Sequence, residues 1–135
     1  MIEKLLAEAR ARIVRYSPAQ AAAADALLVD LRCHDERARE GILPGSVHVP
    51  RSVLEWRCDP DSGWANPHVA DRSLQLILVC REGYSSSLAA ASLVDLGFAN
   101  AGDLEGGFTA WQASGLPVVP APPAGAGVAG MGGPQ

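Results

Sequence analysis

The sequence predicts a three-layer α/β domain with a central parallel sheet of about five strands and helices on both faces. Two short runs, ALLVDLR at 26–32 and LQLILVC at 74–80, are apolar without alternation, as strands covered on both faces are. Helix-like stretches separate the strand-like ones, the alternation expected of a parallel sheet with crossover helices. A length of 135 residues gives one domain with a single core and little to spare for a second.

Each element has its own signal. Residues 2–10 place Ile2, Leu5, Leu6 and Ala9 on one helical face, and RIVRY at 12–16 reads as a strand. Ser17-Pro18 starts a helix, because serine caps free N–H groups and proline suits the first turn. The alanine run ends near Asp25, and the strand at 26–32 follows. A polar, helical stretch comes next, broken by Gly41 and Pro44-Gly45. SVHV at 46–49 is a short strand before Pro50 and a small helix from Ser52 to about Arg57. Residues 58–72 carry Asp59-Pro60, Ser62-Gly63 and Asn66-Pro67, the signals of a surface loop. After the strand at 74–80 comes REGYSSS and the helix SLAAASLVDLGF, stopped by Gly97 with Phe98 folding back. AGDL at 101–104 is a last strand, and Gly106-Gly107 opens a final helix with Phe108 and Trp111 at i, i+3. From Leu116 onward no side chain is charged, and 118–135 is rich in Pro, Gly and Ala. The division expected is an N-terminal helix over 1–11, the domain over 12–117 and a disordered tail over 118–135.

Composition narrows the function. With 48% apolar and 19% charged residues the chain is not disordered as a whole. A net charge of -4 gives no reason to expect nucleic acid or an anionic membrane as partner. No apolar run reaches the ~18 residues of a spanning helix. MIEKLLAEARAR lacks an apolar signal core, so a cytoplasmic location is expected. Cys33, Cys58 and Cys80 make neither a disulfide framework nor a CxxC-type zinc site, and reduced thiols are the reading. No cofactor is called for.

One segment carries chemistry: LILVC-REGYSS-SLAAASLVDLGF. Cys80 ends a buried strand, and ligands of an open α/β sheet bind at the carboxyl ends of strands. The loop Arg81, Glu82, Gly83, Tyr84, Ser85, Ser86 can wrap so that its amides point inward as an anion cradle. The next helix adds its positive end, and Gly83 supplies backbone freedom. A free thiol is only a few per cent thiolate at pH 7, and a drop of about two pKa units would ionise most of it. Two chemistries share this layout, sulfur transfer through a persulfide and phosphoester hydrolysis through a phosphocysteine. The second needs an arginine six residues after the cysteine to clamp the phosphoryl oxygens. Ser86 stands there, and no arginine follows Arg81.

Taken together, LLVDLR, GILPGSVHVP, LILVCREGYSS, LVDLGF and DLEGGFTAW make residues 12–117 resemble the rhodanese-like (sulfurtransferase) domain family. The resemblance implies that Cys80 cycles between thiolate and persulfide, taking sulfur from a small anionic donor such as thiosulfate. Cyanide, a thiol or a protein then accepts it. It also implies that Arg81 to Ser86 form the cradle, that Asp30 and Arg32 match an Asp-x-Arg element, and that Gly106-Gly107 with Trp111 matches a structural GG-x-x-x-W signature. Efficient thiosulfate enzymes often carry two cations after the cysteine, and here Glu82 takes the second place. The alternative is a persulfide carrier or regulatory binding module that turns over little alone.

Plainer roles fit the remaining residues. Asp30 and Arg32 read as a structural ion pair supporting the loop, and Ser85 and Ser86 serve equally as helix caps. Tyr84 shapes the pocket mouth. Cys33 and Cys58 read as surface thiols. His34, His48 and His68 have no ligand spacing, and a pre-ionised thiolate needs no base. Trp56, Trp64, Phe108 and Trp111 read as packing or loop-covering groups.

Overall fold

The computed structural model describes residues 1–123. Five parallel strands form one sheet: β1 (Val14–Tyr16), β2 (Leu27–Asp30), β3 (Val47–His48), β4 (Leu76–Val79) and β5 (Gly102–Leu104). Their order is β1-β5-β4-β2-β3, which puts the most apolar strand at the centre. All four residues of β4 are buried, as an unalternated apolar run requires.

Period-two alternation divides β4 between two cores. Leu76 and Leu78 face a cluster with Val29, Leu54, Ala89, Ala90, Leu93 and Phe98, contributed in part by α4 (Leu54–Cys58) and α5 (Ser85–Asp95). Ile77 and Val79 face a second cluster with Ala21, Leu28, Leu104, Phe108 and Trp111. Those side chains come in part from α2 (Pro18–Ala23) and α6 (Gly107–Ala113). The expected three layers are present.

Local chemistry explains the helix ends. The Ser17 hydroxyl accepts from the Gln20 amide while the Gln20 side chain accepts from Ser17 N–H, a reciprocal capping box with Pro18 next to it. α1 (Ile2–Arg10) packs on α5, and α3 (His34–Glu40) follows β2. A 3-10 turn at Arg51–Val53 runs into α4, where one helix was expected from Ser52.

Three expectations change. Cys58 is fully buried rather than on the surface, because it lies one turn after Leu54 on the apolar face of α4. Trp56 and Trp64 are each 53% exposed and line a pocket with Ser52 and Val53, so neither is a core side chain. Residues 118 and 119, expected as the start of a disordered tail, are packed and paired instead. Val119 pairs antiparallel with Ile42, exchanging both main-chain bonds at 2.8 and 3.0 Å, and Val118 packs on the second core. Trp111 Nε1 donates to the Pro117 carbonyl at 2.9 Å and directs the chain there. Without this pairing, Ile42 would leave two main-chain groups unmatched. The rest of the expected tail, residues 124–135, lies outside the described residues.

Candidate active site

The chain after β4 turns sharply into α5, and Cys80 sits at the carboxyl end of the central strand with 8% exposure. Its Sγ accepts from the Gly83 amide at 3.1 Å and the Ser86 amide at 3.4 Å. Gly83 has φ of 84°, and an added Cβ would lie 2.6 Å from the Gly106 nitrogen, so conformation and space both demand glycine. Of the stretch 81–86, these are the two amides that bond the sulfur itself.

Burial pushes the Cys80 thiol up. The Ser86 and Ser85 hydroxyls and the amides of Ser86 and Gly83 outweigh it, and the pKa falls below that of a free cysteine. Ser86 has a single hydroxyl proton, which Asp103 Oδ2 accepts at 2.8 Å. The Gly83 and Ser86 amides are the donors whose hydrogen bonds to Sγ the geometry fixes. With the folded pKa depressed, the thiolate favours folding most above the unfolded pKa, and that contribution fades as pH falls through the folded value. Cys58 is the opposite case: burial without donors, beside Glu55, pushes it up to about 12. Cys33 is exposed at the start of α3.

The loop is also held from outside. The first amides of α6 cap its carbonyls, Phe108 N–H to Cys80 O at 2.9 Å and Thr109 N–H to Arg81 O at 3.0 Å. That approach explains the paired glycines. A Cβ on Gly107, at φ of 60°, would stand 2.4 Å from the Cys80 oxygen.

Asp30 and Arg32 lie in a buried ion cluster. Asp30 Oδ2 accepts from Arg32 Nη2 at 3.0 Å and Arg37 Nε at 3.1 Å, and Oδ1 accepts from Arg32 N and Nε, both at 3.1 Å. The Arg32 guanidinium lies 3.8 Å over the ring of Phe108, the residue whose amide bonds the Cys80 carbonyl. His48 Nε2 meets the Arg32 carbonyl at 2.7 Å, and burial lowers its pKa.

Arg81 and Glu82 stand on the rim. Arg81 turns toward α3, giving Nε and Nη2 to Glu40 Oε2 at 2.9 and 2.8 Å, with Nη1 on Glu82 Oε1 at 2.9 Å. The rim cation is thus shared by carboxylates. Tyr84 is exposed, with the Arg10 guanidinium 5.6 Å from its ring centre.

Sequence reasoning missed the polar layer behind the loop. Asp103, fully buried, accepts from Ser86 Oγ, Ser87 Oγ and Arg15 at 2.7 to 3.3 Å. Arg10 and Arg15 both reach the Gly83 carbonyl. A signal existed. An aspartate in a strand that reads as buried must have a partner, and Arg15 in RIVRY is a candidate by strand register. Among the described residues no cluster could hold a metal, and no helix is long and apolar enough to cross a membrane.

Comparison with known proteins gives a consistent result. The family model for the rhodanese-like domain matches residues 16–114. A thiosulfate sulfurtransferase GlpE from Stutzerimonas stutzeri is 39% identical over 101 residues, covering 73% of this chain and 84% of that protein. The adenylyltransferase and sulfurtransferase UBA4 of Lodderomyces elongisporus is 36% identical over 71 residues, 52% of this chain but 16% of that protein's length. A solved structure from Rhodopseudomonas palustris, of unknown function and described as a possible tyrosine phosphatase, superposes with a TM-score of 0.81. It is 34% identical and covers 87% of this chain and 93% of its own.

Proposed function

This chain belongs to the rhodanese-like domain family, and on that premise we propose that it is a sulfurtransferase working through a persulfide on Cys80. The observation that carries the reading is the pair of main-chain amides on Cys80 Sγ, at 3.1 and 3.4 Å, at the end of the central strand. They stabilise the thiolate without a base, a metal or an organic cofactor.

The thiolate attacks the outer sulfur of an anionic donor. With thiosulfate, the S–S bond breaks, sulfite departs with the bonding pair, and Cys80 becomes a persulfide. Cyanide or an acceptor thiolate, free or on a protein, then takes the outer sulfur and restores the Cys80 thiolate. The Cys80 loop would hold the anion at both stages, with Asp30 and Arg32 supporting it from behind. Such thiol chemistry suits the reducing cytoplasm.

The test is intact mass after thiosulfate and then cyanide. A gain of one sulfur on Cys80, lost with cyanide and with many turnovers, is the expected result. No gain with any sulfane donor rejects the proposal. A gain without turnover would identify the carrier module, a second reading favoured by the ion-paired rim around Arg81. Phosphatase chemistry is disfavoured in this chain, because Ser86, bonded to Asp103, stands where the phosphate-clamping arginine is needed.

Glu82 should slow a dianionic donor by repulsion and by sharing Arg81. Glu82→Lys is expected to raise kcat/KM with thiosulfate by roughly threefold, most strongly at low salt. An unchanged or lower second-order rate would reject this account of the rim.

A further inference from the structure

The Gly83 carbonyl is bound twice from outside the loop. Arg10 Nη2, from α1, donates to it at 2.9 Å, and Arg15 Nη2, from β1, donates at 3.0 Å. Each arginine is anchored in turn. Arg10 Nε donates to Ser87 Oγ at 3.1 Å, and Arg15 holds Asp103 through Nε at 2.9 Å and Nη2 at 3.3 Å. Ser86 and Ser87 donate to the same Asp103. Both arginines precede residue 16, where the matched family region begins.

From this geometry we infer that Arg10 and Arg15 are positioning residues for Cys80, a two-arginine clamp by which the N-terminal helix and first strand set the orientation of the anion cradle. The peptide joining Gly83 to Tyr84 is planar and trans, so its carbonyl and N–H point in opposite directions. Drawing the Gly83 oxygen outward onto two guanidiniums turns the Tyr84 N–H the opposite way, away from both arginines. The same pull fixes the residue whose own amide bonds Sγ at 3.1 Å. Charge-assisted bonds are the strong kind, and two on one carbonyl oppose any flip of that peptide. A flip would break both arginine bonds and free Gly83, whose amide holds the sulfur, to turn away from it. Ser86 and Ser87, tied to Asp103, hold the helix side of the loop in the same frame. The leading helix thus belongs to the machinery of the site rather than lying beside it.

The inference rests on the sulfurtransferase reading for its consequence, but its primary test does not need sulfur transfer. The pH dependence of Cys80 alkylation is measured for the full chain, for Arg10→Met and for Arg10→Lys, alongside thermal unfolding. The rate rises with pH through the folded pKa and then levels off. Arg10→Met should move that midpoint up by about half to one unit, slowing alkylation near neutral pH roughly threefold to tenfold. Arg10→Lys, which keeps a charged donor, should recover part of the shift. Arg15→Met should act in the same direction, with a larger loss of thermal stability because Asp103 loses its arginine. If Arg10→Met titrates like the parent chain, the clamp is refuted, whether or not the melting temperature falls. If the parent chain takes no sulfur but the midpoints shift as stated, the transfer reading fails and the clamp stands.

Discussion

Cys80→Ser is expected to remove sulfur uptake, with turnover down by about three orders of magnitude or more while the fold persists. An alcohol is not ionised by two amide bonds at neutral pH, and its oxygen is a poor nucleophile toward sulfane sulfur. The cradle itself survives. Serine is smaller by a fraction of one atom at a site already polar, and the Gly83 and Ser86 amides keep an acceptor. Thermal unfolding should therefore shift by only a few degrees, which separates lost chemistry from lost structure. The other thiols offer no bypass. Cys58 is fully buried with its pKa pushed up to about 12, and Cys33 is on the surface at the start of α3. Persulfide found by mass on the serine variant would mean that the nucleophile lies elsewhere.

What could be read in the sequence was whatever local pattern decides. The LILV run is apolar on both faces, so β4 had to be a central strand, and the thiol after it had to lie at the sheet's carboxyl edge. Gly83 could be read as a conformational need, and its φ of 84° is that need. Gly107 could be recognised only by its motif. Its reason is a contact with the Cys80 carbonyl across 27 residues of chain, which no local rule contains. The same holds for Arg10 and Arg15, whose partner Gly83 is 73 and 68 positions away. Arg81 shows a further limit of local reading. Beside the cysteine it promised a cation for the donor, but its length lets Glu40 on α3 capture it. Cys58 and Val119 went wrong because the burial of the one and the pairing of the other with Ile42 depend on which neighbours the fold brings to them.

Asp30→Ala is the substitution expected to cost most in stability, about 3–5 kcal/mol. Asp30 is fully buried between Arg32, whose side chain is 1% exposed, and Arg37, at 9%. Alanine would leave two guanidiniums out of water with their shared counter-charge gone. Arg32 would keep the Gly41 carbonyl at 2.8 Å and Glu40 at 3.4 Å, which satisfies part of its fork and none of Arg37's bond to Asp30. The expected fall in melting temperature is roughly 10–20 °C. Asp30→Asn should cost less, since one acceptor oxygen remains without the charge. The loss should also reach the site. Arg32 stacks on Phe108, and the Phe108 amide holds the Cys80 carbonyl. Well below its own melting temperature, the alanine variant should therefore still transfer sulfur several-fold more slowly. Thermal unfolding and turnover on the same samples decide the matter. A melting temperature within about 3 °C of the parent would show that the cluster is not what secures this end of the sheet. A large fall with unchanged turnover would place its whole effect in the core, and the path through Phe108 would be wrong.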